Sequence, residues 1–195
     1  MDVQCLIVIH VDDGMGGSNC SQFLAWIKKE ILREFGLKDL GDVTQFLGVQ
    51  FERNLSMREL WMHQKEYIHT LLEDYELLDC NTVSTPMDSS SSLSTNGPLC
   101  DSASEFQALM GRLLFLSICT RPDISYAVNR LTQHNAHLTV DHLAVAKRVL
   151  RYLKGTQNLC IHYQATPYTM SLSAFSDSDW AGLLDRVSVI LLGGI

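Results

Sequence analysis

The sequence has no CxxC pair and no Cys/His cluster at zinc-ligand spacing. Its six cysteines, Cys5, Cys20, Cys80, Cys100, Cys119 and Cys160, are scattered, so free thiols in a reducing compartment are the expectation. No apolar run reaches bilayer length: residues 3–11 are apolar but too short, and no basic leader or small-residue cleavage site accompanies them. A soluble chain without a membrane partner is expected, inside the cell, cytoplasmic or nuclear, with an organelle also allowed. Walker-type Gly-x-x-x-x-Gly-Lys spacing is absent, and "GMGGSN" lacks the Rossmann spacing. No H-E-x-x-H spacing joins His63, His69, His134, His137, His142 and His162, and no Ser/His/Asp nucleophile motif stands out. Positive charge is scarce too: Lys plus Arg is 15 against 22 for Asp plus Glu, a net of −7. That is the wrong sign for a domain whose whole surface grips phosphates, so any nucleic-acid role needs a local basic stripe.

What is present reads as globular: 195 residues, 46% hydrophobic and 19% charged, enough for one ordinary domain or two small ones. "CLIVIHV" is apolar on both faces, which suits a buried strand, and "DDG" with Gly16 and Gly17 supplies turn chemistry for a hairpin. From Ser21 to Phe35 the residues Leu24, Ile27, Ile31 and Phe35 recur at helical steps, with Gly36 as a stop. "VTQFLGVQFER" alternates and "ELWMH" follows a polar turn, predicting a second hairpin. A helix from about Gln64 to Leu77 places Ile68, Leu71, Leu72 and Tyr75 on one face. Residues 80–101 are rich in Ser, Thr, Pro and Asn without a period, which predicts an exposed linker and the best internal boundary.

Beyond it, Ser102 and Glu105 are spaced as a capping box, and Phe106, Leu109, Leu113 and Leu116 begin a helix that stops at "TRPD". Pro122 sits where the next helix begins. A further helix from about Val140 to Lys154 turns Leu143, Ala146, Leu150 and Leu153 inward and carries Lys147, Arg148, Arg151 and Lys154 on its other side. "LCIHY", "LSAF" and "VSVILL" give the last segment a β character.

Adjacent Asp12 and Asp13 at a hairpin tip offer several hard oxygen ligands in a small volume, as a magnesium site for nucleotidyl transfer requires. Asp-Asp-Gly is equally ordinary turn chemistry. Asp177 and Asp179, two apart, share one face of an extended strand and are either a metal-facing pair or a polar turn. The basic stripe is either a phosphate track or a solvated helix face.

Taken together and in order, "HVDDGMGGSN", "LKDLGDVTQFLGVQFER", "HQKEYIHTLLEDYELLDCNTVSTPM", "GRLLFLSICTRPDISYAV", "AKRVLRYLKGT" and "SDSDWAG" resemble the reverse-transcriptase region of copia-type retrotransposon Pol polyproteins, running into the start of ribonuclease H. The resemblance implies an α+β chain. Residues 1–79 would be the C-terminal part of a polymerase palm with a thumb-like helix, 80–101 a Ser-rich linker, 102–158 a helical thumb or connection region, and 159–195 a truncated ribonuclease H-like start. It implies RNA-directed DNA polymerisation with Mg2+, catalytic and metal-ligating Asp12 and Asp13, a primer grip at Phe46, Leu47 and Gly48, and Asp177 as an incomplete ribonuclease H-like metal ligand. A template-primer duplex, and the remaining polyprotein segments, would be the partners, with Lys147, Arg148, Arg151 and Lys154 on the duplex.

Three departures accompany the match. His10 stands where the family has Tyr, the family's first palm aspartate and its fingers fall upstream of Met1, and "GLLDRVSVILLGGI" departs from the ribonuclease H pattern. The expectation is therefore a polymerase fragment inactive by itself. The alternative is a duplex-binding or functionless remnant of a transposable element.

Overall fold

The structure, a computed structural model, describes residues 2–88, 93, 97–98, 102–134 and 138–165, all within one unit, Met1–Ala165. "LSAF", "SDSDWAG" with Asp177 and Asp179, and "VSVILL" lie outside the described residues. The described part is mixed α and β, with two separate antiparallel sheets and five α-helices.

Strands β1 (Cys5–His10) and β2 (Asp13–Ser18) pair antiparallel from Cys5↔Ser18 to His10↔Asp13. The turn is therefore Val11–Asp12, and Gly14, Gly16 and Gly17 lie in the second strand instead of forming the turn. Ile7 lies opposite Gly16 and Ile9 opposite Gly14, leaving β1 without a bulky partner on that face. The expected burial of "CLIVIHV" is not found. Leu6 and Ile9 are 72% and 73% exposed, because β2 alone pairs with β1 among the described residues and a glycine-rich strand covers little apolar surface.

Helix α1 spans Ser21–Phe35 and ends in a left-handed Gly36, as the spacing predicts. Its apolar stripe lies beside β2, yet none of its residues is buried and Trp26 and Phe35 stand exposed.

The second sheet has the order β3-β4-β5-β6, all neighbours antiparallel. β3 (Gln45–Phe46) turns through Leu47 and Gly48 into β4 (Val49–Asn54), which pairs with β5 (Glu59–His63) in the expected hairpin. Leu47 and Gly48 both have positive φ, 48° and 77°, the two-residue turn whose twist matches a hairpin. A Cβ on Gly48 would sit 3.6 Å from the Phe115 ring, so this turn also lies against a helix. Gly48→Ala is expected to cost about 1–2 kcal/mol in urea unfolding, because an alanine held at that φ is strained whatever the space.

The fourth strand, β6 (Ile161–Gln164), comes from "LCIHY" and pairs with β5, where Trp61 stacks on His162 at 5.0 Å and 3°. A stretch that the resemblance assigns to the ribonuclease H-like start thus completes the sheet that follows the aspartate hairpin.

The core is helical. α2 (Lys65–Asp74), α3 (Ala103–Cys119), α4 (Ser125–Thr132) and α5 (Val140–Gly155) bury Ile68, Leu71, Leu72, Phe106, Leu109, Leu113, Leu116, Val128, Leu131, Ala146, Leu150 and Leu153 in one cluster. Those on α2, α3 and α5 are residues that helical spacing selects, except that Leu143 is only half-buried and so is Tyr75, the C-cap of α2, which ends at Asp74, short of the expected Leu77. Two termini differ. Ser102 caps α3 without a side-chain bond, its backbone at φ −87°, ψ 36° lying away from the extended geometry a capping box needs. The box forms instead at α5, where His142 Nδ1 accepts the Thr139 N–H at 3.0 Å.

Candidate functional site

The Asp12–Asp13 tip is positioned by the β1–β2 register. Asp12 is the second turn residue and Asp13 the first of β2, opposite His10, and both are exposed. Side chains alternate along a strand, so Asp13 shares the face of His10, Val8 and Met15 and does not share a strand face with Gly14. The turn is strained: Val11, a β-branched residue, is held at φ 54° where glycine is favoured, a conformation costing about 1–3 kcal/mol. Strain of this kind fixes the direction in which the next two side chains leave the chain. Both carboxylates are hard oxygen donors, and magnesium is commonly held by one or two carboxylates plus substrate phosphates and water. The donor chemistry of the tip fits such an ion, although among the described residues no group of three or more His, Cys, Asp or Glu gathers to hold a metal.

The second expected element, Phe46, Leu47 and Gly48, is the β3–β4 turn. Phe46 pairs with Val49, Leu47 is 42% exposed, and Gly48 rests on Phe115, whose ring meets Tyr67 edge-on at 5.3 Å. The turn thus presents backbone and one apolar side chain on a mount fixed to α2 and α3. It belongs to a different sheet from the aspartate hairpin, so no strand pairing links the two.

The basic stripe behaves differently from a solvated face. Lys154 Nζ donates to the Cys80 carbonyl at 2.6 Å, Arg151 Nε to the Asn81 carbonyl at 2.7 Å, and Arg148 Nη2 to Thr85 Oγ1 at 2.9 Å. Lys147 is exposed. The first residues of the stretch read as an exposed linker therefore run along α5. Asp177, the remaining expected ligand, lies outside the described residues.

Sequence reasoning missed the strongest polar cluster. Arg121, read only as part of a helix stop, is 1% exposed. Its guanidinium forks onto Asp123 (Nε to Oδ1 3.0 Å, Nη2 to Oδ2 2.7 Å), donates to Thr156 O at 3.0 Å and Thr156 Oγ1 at 2.6 Å, and lies 5.7 Å over the Tyr152 ring. The Tyr152 hydroxyl donates to Asp123 Oδ2 at 2.9 Å. Burial pushes the Asp123 carboxyl up, but the Arg121 bonds and charge and the Tyr152 hydroxyl outweigh it, holding the group below its ordinary range. The available signal was an Arg two residues before an Asp across a proline, at a helix junction.

A second missed contact is buried Gln64, whose Oε1 accepts the Thr120 hydroxyl at 2.8 Å and ties the start of α2 to the end of α3. A third is the stacked pair His134–His142, ring centroids 4.2 Å apart. Burial lowers the pKa of both, the neighbouring His142 and Arg130 charges adding to the effect at His134, while the Leu93 backbone and Asp141 oppose it at His142. Burial also pushes the Cys119 thiol up, away from nucleophilic use.

Comparison with known proteins agrees with the order of the motifs. Residues 2–89 match the family described as reverse transcriptase (RNA-dependent DNA polymerase). An uncharacterized mitochondrial protein of Arabidopsis thaliana is 35% identical over 178 residues, covering 90% of this chain and 72% of its own length. The retrovirus-related Pol polyprotein from transposon RE1 of the same plant is 37% identical over 177 residues, and that from transposon TNT 1-94 of Nicotiana tabacum 29% over 190. They cover 90% and 93% of this chain, which spans only 12% and 14% of their own lengths. No solved structure matches the chain significantly. No helix among the described residues is long and apolar enough to cross a membrane.

Proposed function

The chain belongs to the reverse-transcriptase family of copia-type retrotransposon Pol polyproteins, and we propose that it supplies the aspartate hairpin, primer-side turn and duplex-facing helices of an RNA-directed DNA polymerase. The observation that carries this is the hairpin itself, with Asp12 in a strained two-residue turn and Asp13 opening the strand behind it. Asp12 and Asp13 hold a divalent cation through their carboxylate oxygens. Magnesium, when bound, supplies a Lewis acid that neutralises phosphate charge and favours attack by a primer 3′-hydroxyl. The Val11 turn fixes where the two carboxylates point. The Leu47–Gly48 turn, braced on Phe115, offers a rigid edge to the primer strand, and the cations of α5 meet duplex phosphates.

A two-metal site needs further ligands, and among the described residues no third His, Cys, Asp or Glu joins Asp12 and Asp13, so primer extension by the chain alone is expected at background. Manganese is nevertheless expected to broaden the amide signals of residues 10–14, and Asp12→Asn to abolish that broadening. Absence of manganese broadening in the unsubstituted chain would refute the metal-ligand role. Templated incorporation that disappears with Asp12→Asn would instead overturn the expected lack of activity.

A further inference from the structure

We propose that the segment from Cys80 to Thr85 is a strap that occupies the phosphate track of α5, and that nucleic acid binds this helix only by lifting it off. This rests on the nucleic-acid role proposed above and adds its regulation. Three of the four stripe cations, Arg148, Arg151 and Lys154, each place one donor on the strap. The helix end is under it as well: a Cβ at Gly155 would lie 3.1 Å from the Cβ of Thr82.

The chemistry of these contacts is that of a stand-in. The strap reads "CNTVST" and carries no charge, so three cations are met by two main-chain carbonyls and one hydroxyl. Both kinds of contact use an ionised donor, but a phosphate oxygen also carries opposite charge, so the Coulomb attraction between unit charges is added to the hydrogen bond. A run of phosphates therefore outcompetes the strap for the same donors, and each contact won also releases counterions. Lys147, exposed on the same helix, is the stripe cation left to make the first encounter. The strap thus sets a threshold: the helix ignores isolated anions and responds to a polyanion that can replace all three contacts together.

The test uses the full chain with a short RNA–DNA hybrid as probe. Thr82→Cys with Gly155→Cys, combined with Cys80→Ser to remove the thiol two residues from position 82, closes the strap by oxidation. The Cβ separation at these two positions is somewhat short of the usual ~3.8 Å between the Cβ atoms of a disulfide, which a small strap movement supplies. The oxidised form is expected to bind the hybrid at least about tenfold more weakly than the reduced form, with a salt slope shallower by about three. Equal affinity and slope in both forms, with the hybrid still bound, overturns the strap and leaves the nucleic-acid role standing. No binding by the unsubstituted chain at low salt overturns both. If the bridge does not close, alkylation of native, half-buried Cys80 decides: the hybrid must speed it, and an unchanged or slower rate overturns the proposal.

Discussion

Replacing Arg121 with alanine is expected to lower the unfolding free energy by about 3–5 kcal/mol, read from the midpoint of urea denaturation. The size follows from what is left behind. Arg121 is buried at a junction where the Pro122–Ile124 turn, α4 and the end of α5 meet, and its donors satisfy Asp123, the Thr156 carbonyl and the Thr156 hydroxyl at once. Alanine removes all of them, opens a cavity beside Tyr152 and strands a carboxylate in a half-covered site. Because the Asp123 side chain is 30% exposed, water recovers part of its solvation and the loss falls toward the lower end. Arg121→Lys keeps the charge but not the planar fork and should fall between the two.

The pH dependence provides an independent readout of the same substitution. A carboxyl whose folded pKa is depressed binds fewer protons folded than unfolded, so its stabilisation is complete above the ordinary value of 3.8 and is lost as pH falls through the lowered one. The acid limb below about pH 4 should therefore flatten in Arg121→Ala, since the bonds that depress Asp123 are gone. The neutral pair His134–His142 adds a loss at higher pH: its stabilisation begins to fall below about 6.5, and that limb should survive the substitution.

The second large effect separates the two faces of α5. Leu150→Ala is expected to cost about 2–5 kcal/mol, because Leu150 is fully buried in the helical core and its removal leaves a cavity. Arg151→Ala, one residue on, should cost about 1 kcal/mol or less, since its bond to the Asn81 carbonyl is exposed. Thermal unfolding of the two variants side by side measures the contrast. A comparable loss in both would mean that the strap contributes to global stability rather than lying on a finished core.

These contrasts show what was legible beforehand. The faces of α2, α3 and α5 could be read because a 3.6-residue period of Leu, Ile and Phe has few other uses. The β4–β5 hairpin was visible in its alternation, and α1 was found to the residue by its spacing and Gly36. What covers a face was not legible: α1 carries an apolar stripe as clear as those of the core helices and β1 is apolar on both faces, yet no residue of either is buried among the described residues. Polar partners far apart in sequence were equally hidden. Arg121 to Thr156 spans 35 positions and Lys154 to Cys80 spans 74, and no local pattern encodes such pairs. The Asp12–Asp13 tip was legible as a motif, but the placement of its turn at Val11–Asp12, ahead of the glycines, was not.

That placement bears on how the hairpin keeps its alignment. A strand with one oily side and one wet side is locked in register by the difference, because a slip of one residue would turn every side chain over. β1 is oily on both sides and faces a partner that is largely glycine, so it has little such preference. Alignment of the two strands then depends on the bend at Val11. Were that bend to move by one residue, the hydrogen-bond ladder could re-form, but with Asp12 carried into the strand and Asp13 turned to the opposite side. One awkward valine works here as an indexing pin, deciding which of two neighbouring carboxylates faces which way.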